Sequence, residues 1–241
     1  MLARAGARPA KLGRVSAGRG KAGRIAVGLV GALALVLALA QLLLPGIAAS
    51  RISSRVGRYG RVESVSVKAW PAVELLWGSA DSVTVRAMSL TLSPAQTAKL
   101  LWEARGASRL ELTAPSLREG PLKLTQASLR KHGQALAAQA RISDADVRTA
   151  LPAGLRVELL SSQAGAVRVR AGGGPFGAGA SVDALAGAST GRLVVHGLGS
   201  PLSGLRLTLF SEPHVYVQGV GASVEAGQPL SYRLTINATL R

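Results

Sequence analysis

Twenty consecutive residues from Ile25 to Leu44, IAVGLVGALALVLALAQLLL, carry no charged side chain. At about 1.5 Å of rise per residue, a helix of that length reaches roughly 30 Å, the hydrocarbon thickness of a bilayer. Its one strongly polar side chain, Gln41, lies near the end of the run. All-round hydrophobicity ahead of a polar domain argues against a buried core helix. The preceding segment holds Arg4, Arg8, Lys11, Arg14, Arg19, Lys21 and Arg24 and no acid. By the positive-inside bias, residues 1–24 read as a basic cytoplasmic tail, 25–44 as a transmembrane helix or signal anchor, and the remainder as extracytoplasmic. Arg51, Arg55, Arg58 and Arg61 reduce this asymmetry without reversing it. A cleaved secretory signal is the alternative, because Pro45, Gly46, Ala48, Ala49 and Ser50 resemble a cleavage region. The apolar run is longer than the about 7–15 residues usual in a signal, which favours an uncleaved single-pass anchor.

Beyond the anchor, 45–61 reads as a linker and 62–241 as one β-rich domain, long enough to bury a core of its own. The chain has no cysteine, so neither disulfides nor thiolate metal sites contribute to its stability. Aromatic residues make up 3% of the chain, and the core must therefore be aliphatic. After residue 50 there remain 22 Lys or Arg against 12 Asp or Glu, without a run of like charge. These bases do not interleave with aromatic side chains, so a nucleic-acid stacking surface is not expected. The excess of positive charge fits either an anionic membrane surface as partner or an ordinary solvated cationic surface.

Period-two alternation runs through the domain. Val65, Val67 and Ala69 alternate with Ser64, Ser66 and Lys68; Val83, Val85 and Ala87 change phase to Met88, Leu90 and Leu92, which predicts one long strand with a bulge. Further strands follow around 110–114, 122–124, 155–159, 166–170, 193–195, 205–209, 215–217 and 230–240. Ser93, Pro94 and Gln96 form a capping-box signature for a short helix, and Ser143, Asp144 and Asp146 mark a second one ended by Pro152 and Gly154. The apolar phrase Pro71–Gly78 predicts a turn of helix. The expected fold is α+β: a long, curved antiparallel sheet wrapped against one or two helices, half-barrel-like, behind the N-terminal transmembrane helix.

Catalytic chemistry finds no support in the sequence. His132, His196 and His214 are far apart and lack metal-motif spacing; there is no G-x-S-x-G elbow; Asp144 and Asp146 are explained as helix-terminal carboxylates. Gly172, Gly174 and Gly177 match G-x-G-x-x-G, but Pro175 interrupts the motif and no helical pattern follows. The chain is read as a non-enzyme without metal or cofactor. Trp70, Trp77 and Trp102 all lie early in the domain, as core pieces or as interfacial side chains. With Leu75 and Leu76 they are the candidate lipid or membrane contacts.

The phrase Val65, Trp70, Pro71, Leu75, Leu76, Trp77, Gly78, Asp81, Val83, Val85 resembles a strand, aromatic-Pro turn, Leu-rich segment and second strand of the actinobacterial LmeA-like phospholipid-binding proteins. Ile142–Val147, 205–210 and 215–220 extend the resemblance over roughly residues 50–241. It implies an extracytoplasmic protein that binds phospholipid and supports cell-envelope lipid or glycolipid assembly, with no catalytic residue to carry over. The reading is a membrane-anchored phospholipid binder whose curved sheet offers an apolar groove for acyl chains. The alternative is a non-enzymatic envelope scaffold that recruits partners through its sheet edges.

Overall fold

The computed structural model describes residues 19–151, 153–173, 181–199, 204, 206–227 and 229–241, with the backbone alone for 19–34 and 37. They fall into two units that meet between Ala40 and Gln41. A single helix, α1 (Arg19–Val56), runs through the described part of the first unit and into the second. Among the described residues no helix is long and apolar enough to cross a membrane. The span expected over 25–44 lies largely outside the residues whose side chains are described, as does most of the basic tail.

The segment expected as a linker, 45–61, is instead helical to Val56 and is followed by a 3-10 turn over Gly57–Tyr59. Ala48, Ala49, Ile52 and Val56 recur at helical spacing and pack on the domain core, which is why the chain does not loosen after the apolar run. Arg55 pairs with Glu103 at 3.2 Å across this contact.

Among the described residues twelve strands form two open sheets. The larger contains β1 (Gly60–Lys68), β2 (Ala80–Leu92), β3 (Ala107–Glu119), β4 (Leu122–His132), β5 (Ala135–Ser143), β11 (Val215–Glu225) and β12 (Ser231–Leu240), in the order β1-β2-β3-β4-β5-β12-β11. The smaller contains β6 (Leu155–Gln163), β7 (Ala166–Gly173), β8 (Ser181–Ser189), β9 (Arg192–Leu198) and β10 (Arg206–Phe210) as an antiparallel meander. The domain is α+β and mostly strand, as expected, but the single antiparallel sheet is corrected to two sheets with one parallel pair, β2–β3. The helix α2 (Pro94–Glu103) is the cause. It carries the chain from the end of β2 back to its beginning, so that Ala107 aligns with Ala80.

Local chemistry sets the helix ends. The Ser93 Oγ accepts from the Gln96 N–H at 3.3 Å while the Gln96 Oε1 accepts from the Ser93 N–H at 2.8 Å, a complete capping box. The second helix, α3 (Asp144–Ala150), begins where the Asp146 N–H donates to Ser143 Oγ at 3.0 Å. Its expected stop at Pro152 lies outside the described residues.

A line of phase changes runs through β1, β2 and β4 of the larger sheet. The buried residues step by three rather than two at Ala87–Leu90 in β2 and Leu124–Ala127 in β4, and the register of β1 on β2 shifts between Arg61 and Ser64. Gln126 takes a positive φ of 50° at this line. Bulges bend strands, and aligned across neighbours they crease a sheet. The bulge expected at Met88 is part of this crease: Met88 is 50% exposed between buried Ala87 and Leu90.

The smaller sheet seats on β11 through two tight hairpin turns. Ala164 and Gly165, and likewise Thr190 and Gly191, have positive φ at both central positions, the signature of type I′ turns. Their glycine carbonyls accept from the edge of β11: Val220 N–H to Gly165 O at 2.8 Å and Val217 N–H to Gly191 O at 2.9 Å. Val167, Val217 and Val220 are buried between the sheets.

At the end of β3, burial pushes the Glu119 carboxyl above its usual 4.5. The native state then holds this proton more tightly than the unfolded chain, so stability from this group rises as pH falls toward 4.5 and is lost as pH rises through the folded value. Glu119→Gln is expected to be more stable than the parent at neutral pH and to lose that advantage below 4.5, as read by chemical denaturation at the two conditions.

Candidate lipid-contact site

Between β1 and β2 the chain makes a 3-10 turn over Ala72–Trp77. Ala72 is fully buried and Leu75 packs on the core, which fixes the inner side of the turn. The other side faces outward: Trp70 is 76% exposed, Leu76 67% and Trp77 75%. Gly78, at φ 77°, closes the turn, and its N–H donates to the carbonyls of Glu74 and Leu75. The Trp70 N–H donates to Asp81 Oδ2 at 2.7 Å, tying the tip to the start of β2. From the other side Gly106 rests on Gly78, so closely that a Cβ at position 106 would lie 2.1 Å from the Gly78 carbonyl oxygen. The tip is thus a braced platform that displays three large apolar side chains.

Beside it is an open depression of about 490 Å³, lined by Lys68, Trp70, Asp81, Ser82 and Arg109 among others. Lys68, Ser82, Arg109 and His132 are lateral neighbours on the outer face of the sheet. Neither Lys68 nor Arg109 is ion-paired among the described residues, whereas Arg130 and Arg141 on the same face pair with Glu111 and Glu225. With the Asp81 carboxylate present, the depression carries one excess positive charge. Near an anionic lipid surface that is worth about 1 kcal/mol. Full burial of each exposed tip side chain is worth roughly 1.5–3 kcal/mol, so apolar contact outweighs charge at this tip.

Trp102 is not part of the tip. It stacks on His214 with ring centroids 4.0 Å apart and planes at 18°, and the Arg105 guanidinium lies 4.3 Å from its centroid. This stack pins α2 to the chain that opens β11. Of the five expected contacts, three are displayed together, Leu75 lies beneath them and Trp102 acts as a clamp elsewhere.

The residues that sequence reasoning left unassigned lie on the inner face of the larger sheet. Val65, Val85, Leu112, Leu129, Ala138, Ile236 and Val220 stand in lateral register across all seven strands. The core on which α2 and the terminal turns of α1 pack runs from β1 to half-buried Leu129 of β4 and takes in Leu136 and Ala140 of β5 and Ala238 and Leu240 of β12, and the smaller sheet covers β11. Between the two covers the face is half open: Ala138, Ala140 and Leu234 are half-buried and Ile236 is 38% exposed. The result is a half-open apolar strip, or trough, in which Ala138 and Ala140 are the small side chains. One row further along, Lys131 sits in register with Leu110 and Leu136, buried, donating to the carbonyls of Arg105 and Ala107. Desolvation holds its pKa below the usual 10.5.

A second open depression, about 330 Å³, lies on the smaller sheet at Arg168, Arg170 and Asp183. There Asp183 is held below the usual carboxylate range by hydrogen bonds from Arg170, at 2.9 Å, and Arg168, at 2.8 Å. That triad satisfies itself. Neither depression is a closed apolar tunnel, and among the described residues no three His, Asp or Glu converge to hold a metal.

A half-open apolar strip and an exposed tryptophan tip beside unpaired cations are the surfaces among the described residues that suit amphiphilic ligands. The LmeA-like phospholipid-binding family matches residues 36–236, and the chain belongs to that family. No curated protein and no solved structure matches the chain. Family membership supports lipid binding and a phospholipid as the partner.

Proposed function

We propose that this is a membrane-anchored, extracytoplasmic phospholipid-binding protein that serves cell-envelope lipid or glycolipid assembly. The acyl chains lie along the trough over β4, β5 and β12. The observation that carries this reading is the half-open apolar row on an otherwise covered face, since a soluble domain gains by covering aliphatic surface and this one leaves it available. Small side chains at Ala138 and Ala140 leave room where leucines would fill it. The apolar run 25–44 and its basic leader support tethering beside the membrane that supplies the lipid.

The scaffold alternative depends on free sheet edges, and one of them is already engaged: the β11 amides of Val217 and Val220 bond to turns of the same chain. The test is organic extraction of the purified full chain followed by mass spectrometry. Stoichiometric phospholipid is expected, and a monodisperse protein that carries no lipid and takes none from vesicles would overturn the reading.

A further inference from the structure

We infer that the tip formed by Trp70, Leu76 and Trp77 is a bilayer-docking wedge, a second membrane contact distinct from the apolar run 25–44 and from the trough. Three observations on this tip converge. Among the described residues its three large side chains are the most exposed apolar groups of the β domain, at 67–76%, and they sit within eight residues of one another on a single braced turn. Holding them out is built in: buried Ala72 and core-packed Leu75 fix the turn from beneath, Asp81 takes the Trp70 N–H, and Gly106 supports Gly78. Lys68 and Arg109, beside Trp70, are unpaired among the described residues and meet the charge of an anionic head-group layer.

The chemistry selects the occupant. Indole has an apolar body and one N–H donor, the combination that partitions to the level of lipid head groups. Two indoles and a leucine on a small convex turn present too little area for a stable protein interface, which needs roughly 800 Å² per partner. They are sufficient for shallow insertion into a bilayer. Apolar contact leads and charge assists, because Asp81 offsets one of the two cations. The inference stands apart from the lipid-carrying reading, since a domain with an empty trough would still dock.

The chain's three tryptophans make the test direct, as none lies in the apolar run. In Trp102→Phe, intrinsic emission reports on Trp70 and Trp77 alone. The full-length variant is reconstituted in vesicles of phosphatidylcholine and phosphatidylglycerol, the lipids brominated near the head-group end of their acyl chains. Roughly twofold or greater quenching relative to unbrominated vesicles, retained in high salt, is expected of side chains at the interface. Tip emission that is unquenched by bromine, or quenched only at low salt, overturns the inference. So does tip emission shielded from iodide without bromine quenching, which means a protein surface covers it. In Trp70→Ser/Trp77→Ser the remaining Trp102 emission is expected to keep the spectrum of the folded parent and to show no bromine quenching. Both positions are exposed, so the fold does not depend on them.

Discussion

Ala140→Trp is expected to lower the phospholipid carried by the purified protein by about tenfold or more, a loss equivalent to about 1.4 kcal/mol per decade of affinity. Ala140 is half-buried on the inner face of β5, in register with Leu234 of β12. An indole there projects from the half-open part of the inner face, at the margin of the core on which Ala140 packs, and competes with an acyl chain for that space. The control is Ala137→Trp on the same strand. Ala137 is exposed on the opposite face, so the variant makes the same chemical change and carries the same strand propensity without entering the trough. Lipid content measured by mass spectrometry should fall in the first variant and stay at the parent level in the second. Equal loss in both would mean that sheet stability, not trough volume, controls retention.

A large loss of stability is expected at Gly191. Its φ is 78°, and a Cβ added there would lie 2.2 Å from Cδ2 of the Tyr216 ring. Because the Gly191 carbonyl accepts the Val217 N–H, the turn cannot retreat without releasing β11 from the smaller sheet. Gly191→Ala is therefore expected to cost roughly 2–4 kcal/mol, combining left-handed strain with overpacking. Gly133→Ala separates the two effects. Gly133 has a φ of 58° but nothing within 4 Å of its added Cβ, and that variant should lose only about 1–2 kcal/mol. Urea denaturation followed by tryptophan fluorescence measures both. Tyr216→Ala in the Gly191→Ala background should restore the part due to the clash, less the loss of the Arg241 guanidinium that lies 3.7 Å from the Tyr216 ring centroid.

Much of this architecture is legible in the chain because its signals are local. The capping box at Ser93 and Gln96, the Ser143 cap, the bulge at Met88 and the helical turn in Pro71–Gly78 each depend on a few neighbouring residues, and each is where the pattern puts it. Strands β5 and β8 are not legible, because ALAAQARIS and SVDALAGAS are rich in alanine, which gives weak alternation and little β-propensity. The division into two sheets depends on which edge meets which turn, a long-range matter that no window of sequence contains. The continuation of α1 to Val56 had a visible signal in the spacing of Ala48, Ile52 and Val56, but the same small residues also resemble a cleavage region.

The candidate site divides along the same line. Tryptophans are conspicuous in the sequence and point to the tip, but only tertiary structure separates Trp70 and Trp77 from Trp102, whose ring stacks on His214. One-sided strands imply an apolar groove but do not name the residues that line it. Its floor is a lateral row contributed one residue at a time by strands far apart in sequence, and register is what assembles it.

The most direct measurement of the central claim is photo-crosslinking of the full chain with a phospholipid carrying a diazirine in its acyl chain, the labelled peptides then mapped by mass spectrometry. The account predicts label concentrated on β4, β5 and β12, around Leu129, Ala138, Ala140, Leu234 and Ile236, and sharply reduced there in Ala140→Trp. Label confined to the apolar run 25–44 and the tryptophan tip, with those three strands unmarked, would contradict it.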